Sequence, residues 1–160
     1  MAKTFNRLLA TFAAMAAAST SLAQVPKEGA VDTTICWGGP THIITATATD
    51  RFGTYVVTGG TRAADKTFDS MSLECIGTFE ARSGGSQHKG YCVYQDASGD
   101  KFHGTDSFTP QGYAWEFLGG TGKFQGISGT GKVERLGAMP SVRQGTMQGC
   151  RRLVGNYKLP

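Results

Sequence analysis

The sequence has little of what defines several large classes of protein. Proline supplies 5 of 160 residues, charged residues make up 18 %, and the only long apolar run lies at the extreme N-terminus. Glycine (23 residues) does not recur at every third position, which excludes collagen, and 39 % hydrophobic residues argue against disorder. No later segment repeats apolar residues at helical spacing. A small, glycine-rich, all-β domain remains.

Motifs for common chemistries are also missing. The chain has no Gly-x-Ser-x-Gly, and no helix is predicted that could carry His-Glu-x-x-His, so hydrolase and metalloprotease functions have no support. There is no Cys-x-x-Cys, and His42, His88 and His103 lack metal-ligand spacing. We therefore predict no metal site and no cofactor.

Two segments have part of the residue spacing of a nucleotide-binding loop and of a calcium-binding loop. Gly126-x4-Gly131-Lys132 has the spacing of a phosphate loop, but Val133 stands where a hydroxyl should bind magnesium, and no helix follows. Residues 96–100 place oxygen ligands alternately, yet their glycine comes too early for a calcium loop. The glycines are interpreted as a tight corner with close strand approach at a barrel rim, and residues 96–100 as a hairpin turn.

The N-terminus resembles an export signal. Lys3 and Arg7 precede an alanine-rich apolar run, and Ser21-Leu22-Ala23 supplies small residues before a cleavage site. We predict a signal peptide over 1–23, a flexible segment over 24–32, a domain over 33–160, and a periplasmic or secreted protein. An uncleaved membrane anchor is the alternative, but the run is shorter than the ~20 residues of a spanning helix, so no stable membrane insertion is expected.

The charge of the predicted mature chain is small. The first 23 residues contain two cations and no acid, so 14 cations and 12 acids remain, a net charge of +2. Apart from Arg151-Arg152 these cations are scattered, whereas nucleic-acid binding needs them clustered on one face. No nucleic-acid partner is predicted.

The remaining chain predicts eight strands. Short β-rich runs alternate with turn residues, and short connections favour antiparallel hairpins. Alternation sorts most side chains into an apolar inner face and a polar outer face, as expected of an up-and-down barrel, with an open sandwich as the alternative. The predicted strands are 33–49, 53–61, 68–81, 88–95, 101–108, 113–118, 128–136 and 143–153. The inner face includes Ile44, Ala46, Ala48, Tyr55, Val57, Met71, Leu73, Phe79 and the site candidates named below.

Four cysteines in an exported chain favour two disulfides, although four allow three pairings. A turn centred between Ser83 and Gly84 places Cys75 opposite Cys92. Cys36 and Cys150 then fall on the first and last strands, which are neighbours only if the sheet closes. We predict Cys75–Cys92 and Cys36–Cys150, the second closing the barrel.

One segment carries a resemblance to a known family. The motif GGTGKF-x-G-x-x-G within Trp115–Val133, with a looser match over Tyr91–Lys101, is similar to allene oxide cyclase and dirigent barrels, and specifically to exported bacterial proteins with an allene oxide cyclase barrel-like domain. The resemblance implies an eight-stranded antiparallel barrel, often trimeric, with an apolar cavity. Plant cyclases of the family close a fatty-acid epoxide, and dirigent members steer the coupling or ring closure of phenolics. The cyclase's catalytic residues have no counterpart in a motif here.

The candidate site residues are the polar and aromatic members of the inner face. Asp106, buried among rings, and His88 are candidate acid–base groups, because burial disfavours the charged form of a carboxyl. The alternatives are that both are ordinary strand-end residues and that the aromatics only fill the core. The candidate ligand-binding residues are Tyr55, Tyr94, Phe102, Phe108, Tyr113, Trp115 and Phe117.

Three functions follow from this pattern. The first is an exported barrel that binds a small apolar or aromatic molecule, with Asp106 or a tyrosine fixing its orientation. The second is a cyclase or isomerase of the resembled family, which would guide ring closure or isomerisation of a lipid- or phenol-derived substrate. The third is a filled barrel that acts through its outer surface or as a trimer. A cavity of several hundred cubic ångström would favour the first two.

Overall fold

The computed structural model describes residues 25–160 and shows an all-β protein whose eight antiparallel strands form a closed barrel. Each strand pairs with the next along the chain, and the first also pairs with the last. The strands are β1 (Glu28–Thr45), β2 (Arg51–Ala63), β3 (Ser72–Arg82), β4 (Gly85–Gln95), β5 (Lys101–Thr109), β6 (Gly112–Gly120), β7 (Ser128–Ala138) and β8 (Thr146–Lys158). The predicted barrel is confirmed, and the predicted signal peptide lies outside the described residues.

Side-chain alternation decides which residues face the interior. On β3 the residues Leu73 and Cys75 are buried while Glu74 and Ile76 are exposed, and on β8 Arg151 and Leu153 are buried. Because neighbouring side chains of a strand point to opposite faces, one set from each strand lines the barrel. Large rings in this lining need small neighbours. A Cβ atom on Gly131 would lie 2.6 Å from Nε1 of Trp115.

One end of the barrel is closed by packed aromatic rings. Phe68, from the β2–β3 connection, and Phe124, from a single 3₁₀ turn (Gly122–Phe124) after β6, are both almost fully buried. The Phe68 ring lies 5.1 Å from that of Tyr157, and the Phe102 ring lies 5.2 Å from that of Phe124, both edge to face. The glycine motif of the sequence therefore builds part of this plug, in agreement with its interpretation as a tight corner at a barrel rim.

Both ends of the described chain lie at this closed end. The backbone N–H of Leu159 donates to the carbonyl of Lys27, and the Tyr157 hydroxyl donates to the carbonyl of Pro26 at 3.1 Å. The pairing of Glu28 with Lys158 begins the β1–β8 ladder directly beside them. The prediction of a flexible segment over 24–32 is therefore wrong from residue 28 onward, because β8 supplies a partner for that stretch.

The first hairpin turns earlier than predicted. Thr47 Oγ1 accepts the backbone N–H of Thr49 at 3.2 Å and of Asp50 at 2.9 Å, so the threonine-rich run forms the turn itself instead of extending β1. Consequently the predicted inward positions of Ile44, Ala46 and Ala48 are wrong. Ile44 is 60 % exposed, and both alanines are exposed in the turn.

The β2–β3 register is also displaced, by four residues. Tyr55 lies opposite Gly77 and Val57 opposite Cys75, whereas the register expected for a tight turn centred on Ala64 would place them opposite Leu73 and Met71. Residues 64–71 form a longer connection that delivers Phe68 to the closed end, and Thr61 Oγ1 anchors it by donating to the Phe68 carbonyl. An even displacement keeps every side chain on its predicted face.

Two disulfides hold the sheet, one on each face. Cys75 bonds to Cys92 inside the barrel, where both are buried, and Cys36 bonds to Cys150 across β1 and β8 on the outside, as predicted. Such bonds are typical of proteins from outside the cytoplasm. Among residues 25–160 no helix is long and apolar enough to cross a membrane.

We predict that the double substitution Cys36→Ser/Cys150→Ser lowers the free energy of unfolding by about 4 kcal/mol, because it releases a loop across a sequence separation of 114 residues in the unfolded chain. The measurement is urea denaturation followed by near-UV circular dichroism. Because this disulfide faces outward, the substitution leaves no cavity in the core. A loss under about 1 kcal/mol would contradict a role in closing the barrel.

Candidate functional site

A cavity of about 490 Å³ occupies the end of the barrel opposite the aromatic plug. Its lining residues lie near the β1–β2, β3–β4, β5–β6 and β7–β8 connections, and Arg135 and Gly137 at its rim are exposed. Six strands each contribute one ring to its wall. They are Trp37, Tyr55, Phe79, His88, Phe108 and Tyr113. The interior therefore has a filled half and a hollow half, which we call the cup.

An ion pair lies at the bottom of the cup. Arg151 Nη1 donates to Asp106 Oδ2 at 2.7 Å, and Nη2 donates to Oδ1 at 3.2 Å. The two side chains are 8 % and 4 % exposed. Asp106 lies on β5 and Arg151 on β8, which are not neighbouring strands, so the contact crosses the interior. Charges buried this deeply are tolerated only when paired and hydrogen-bonded.

Tyr113 is hydrogen-bonded to both members of this ion pair. Its hydroxyl donates to Asp106 Oδ2 at 2.8 Å and accepts a hydrogen bond from Arg151 Nη1. Burial raises the pKa of Tyr113 far above its ordinary value. Burial alone would lower the pKa of Arg151, but the attraction of the Asp106 carboxylate and the interactions with nearby tyrosines together outweigh it, and the net shift is upward. The tyrosine thus stays protonated and the arginine charged across the physiological range.

A second chain of polar groups leads from Asp106 to the wall of the cup. His88 Nδ1 lies 3.6 Å from Asp106 Oδ2, and its Nε2 lies 2.5 Å from the Tyr55 hydroxyl. Burial lowers the pKa of His88, and although Asp106 opposes this, Arg151 and Arg135 add to it. Burial has the opposite effect on the phenol of Tyr55 and raises its pKa. A neutral His88 can therefore accept the Tyr55 proton at Nε2 while Nδ1–H points toward Asp106.

Gly90 leaves space for the polar groups of Tyr55, His88 and Asp106. A Cβ atom at this position would lie 2.6 Å from the Tyr55 hydroxyl oxygen and 2.8 Å from Asp106 Oδ1. Gly90 is paired with Asp106 on β5 and with Gly77 on β3, so the backbone around the polar groups carries no side chain to displace them. The hydroxyl and the carboxylate can approach from opposite sides only because this position is glycine.

The structure divides the predicted site residues into two groups. His88, Tyr55, Phe108 and Tyr113 line the cup, and Asp106 lies directly below it, bonded to Arg151. The remaining four candidates do not line the cup and instead pack in the filled half of the barrel. They are Tyr94, Phe102, Trp115 and Phe117, with the Tyr94 and Phe102 rings stacked 4.5 Å apart.

Three residues of the site were not among the sequence candidates. Arg151 shares the inner face of β8 with Leu153, Arg135 follows the buried Val133 by two residues on β7, and Trp37 follows the buried Ile35 on β1. In each case strand alternation was the available signal. The two arginines were missed because the predicted hairpin registers extended only to the sixth strand, so no face was predicted for the last two strands.

Comparison with known proteins provides no further identification. No family model matches the chain, and no match is found among curated proteins or solved structures. The allene oxide cyclase barrel-like resemblance, and the trimer that it implies, stay predictions from the sequence.

We predict that Arg151→Met lowers the free energy of unfolding by about 3–5 kcal/mol, because it leaves the Asp106 carboxylate buried without its partner. The double variant Asp106→Leu/Arg151→Met, which removes both charges, should recover most of this loss. Urea denaturation at neutral pH measures both. A single variant as stable as the parent, or a double variant no better than the single one, would contradict this account of the ion pair.

Proposed function

We propose that this protein binds a small apolar or aromatic molecule in the cup. The observation that carries this proposal is the hollow half of the barrel, because about 490 Å³ lies within the usual size range of small-molecule sites. A barrel that acts only through its outer surface has no need for an unfilled end. The packing of the opposite end, where Phe68, Phe102 and Phe124 meet, indicates that this chain fills its interior closely elsewhere.

The walls of the cup suit an apolar guest. Phe79, Phe108 and Trp37 present rings, while Val57 and Met147 add aliphatic surface. Burying apolar ligand surface against such walls stabilises a complex by about 25 cal/mol per Å² before the cost of association is subtracted. Apolar contacts of this kind do not fix the orientation of the ligand in the cup.

The polar groups can supply direction. The hydroxyls of Tyr55 and Tyr113 lie among the lining side chains, and their partners His88, Asp106 and Arg151 hold them in place. A few convergent polar groups in an otherwise apolar wall are what orients a ligand in most small-molecule sites. Of the two orienting groups predicted from the sequence, a tyrosine fits better than Asp106, whose oxygens are occupied by Arg151 and Tyr113.

Substitutions that fill the cup test this proposal. We expect the parent protein to bind the neutral fluorophore N-phenyl-1-naphthylamine saturably, and Met147→Trp to weaken that binding by about tenfold or more, because Met147 lines the cup. Met139→Trp is the control, since Met139 is 45 % exposed and lies outside the lining. Fluorescence titration measures both. Absence of saturable binding, or equal binding by both variants, would overturn the proposal.

A second candidate, favoured by the Tyr55–His88–Asp106 chain, is an isomerase acting in the same cup. The Tyr55 oxygen can take a proton from a substrate carbon as its own proton passes to His88 Nε2, and the reverse transfer can return a proton to a different carbon. Atoms and electrons balance without a cofactor, and the substrate is isomerised. His88 is neutral and Tyr55 protonated at the start, as this exchange requires.

Deuterium exchange tests this second candidate. A compound found bound to the parent protein by native mass spectrometry is incubated with the protein in deuterated water. We expect carbon-bound deuterium to appear in it, and Tyr55→Phe to reduce the exchange by about a hundredfold or more while binding persists. Tyr91→Phe is the control, because Tyr91 is 50 % exposed on the outer face. No exchange by the parent, or unchanged exchange by Tyr55→Phe, would exclude the isomerase.

We also propose that binding takes place in the periplasm or outside the cell. The features that support this are the two disulfides and the cationic, alanine-rich start of the sequence. An exported binding protein of this kind would meet its ligand at external concentrations.

A further inference from the structure

Two arginines are neighbours in the lining of the cup, Arg151 at its bottom and Arg135 toward its rim. Arg135 on β7 is paired in register with Arg151 on β8, and both line the cavity. Like charges placed directly opposite each other on one face of a sheet destabilise it. A negative charge beside each guanidinium would offset this repulsion.

Only one of the two arginines has a negative partner among the described residues. Asp106 neutralises Arg151 through two hydrogen bonds. The lining of the cup contains no Asp or Glu, and none of the ion pairs among residues 25–160 includes Arg135. Since His88 is held neutral by burial, the cup carries one uncompensated positive charge.

Arg135 is nevertheless held in position. The central carbon of its guanidinium lies 4.3 Å from the centre of the Phe108 ring and 5.9 Å from that of Tyr113. Stacking of this type uses the faces of the guanidinium and leaves its N–H groups, which lie at the edges, free to donate. A planar fork of donors fits a carboxylate through two parallel hydrogen bonds.

We propose that the natural ligand is an aromatic carboxylate, with its ring among the aromatic side chains of the cup and its carboxylate on Arg135. This inference rests on the proposed binding function and adds the chemical class of the ligand. The rings of Trp37, Phe79, Phe108 and Tyr113 supply flat surfaces for an aromatic guest. The carboxylate supplies the charge that Arg135 lacks, and the rim position of Arg135 leaves the rest of the ligand to enter the cup.

A matched pair of probes tests the charge directly. 2-Naphthoate and 2-naphthamide have nearly the same size and shape, but only the first is an anion. We expect isothermal titration calorimetry of the parent protein to show naphthoate binding about tenfold or more tightly than the amide, as is typical of a hydrogen-bonded charge pair. Raising the salt concentration should weaken naphthoate binding and leave amide binding unchanged.

Substitutions locate the effect. Arg135→Gln should remove the preference for naphthoate, so that its affinities for naphthoate and naphthamide agree within about twofold, because the charge contact is lost. Arg143→Gln is the matched control, since it removes the same charge from the exposed β7–β8 connection, outside the cup lining. Its preference for naphthoate should equal that of the parent.

The outcomes separate this inference from the function on which it rests. Equal binding of both probes by the parent overturns the carboxylate ligand and leaves a binding cup. A preference that survives Arg135→Gln, or that disappears in Arg143→Gln as well, also overturns it, because the charge would act from elsewhere. If the parent protein binds neither probe, the aromatic ligand is contradicted. If N-phenyl-1-naphthylamine does not bind either, the proposed function fails as well.

Discussion

The contact between Asp106 and Arg151 joins strands that are not neighbours in the sheet and divides the barrel into two unlike halves. Below it the interior is packed with rings, and above it lies the cup. A buried ion pair contributes little to stability compared with an apolar pair of similar volume, and its usual benefit is to favour one arrangement over others. Here that arrangement includes the hydroxyl of Tyr113 and the ring of His88, both of which contact Asp106.

The chemistry available in the cup follows from how those charges are balanced. Because Asp106 is engaged by Arg151 and Tyr113, the groups left facing the cavity are a neutral imidazole, protonated phenols and the guanidinium of Arg135, which has no ion-pair partner among residues 25–160. Such a set favours recognition and proton exchange over nucleophilic attack. The binding and isomerase proposals therefore differ only in what Tyr55 does with its proton.

The sequence predicted the barrel and both disulfides because hairpin registers depend on alternation and on short turns such as 83–84. It failed where a connection was not a tight turn. The β2–β3 connection is long because Phe68 has to reach the closed end, and that contact is far away along the chain. The ion pair of Arg151 was missed for a related reason, since the carboxylate that makes this arginine tolerable inside lies 45 residues earlier. Local pattern cannot indicate a partner at that distance.

The hydrogen bond between Leu159 and Lys27 beside the aromatic plug has a practical consequence for orientation. A tether joined to the chain directly before Pro26 or after Leu159 leaves the barrel at its sealed face, so that a molecule immobilised at either point would present the opening of the cup toward the surrounding liquid. Fusion to another domain would likewise keep the entrance unobstructed, because both attachment points share the same pole of the cylinder.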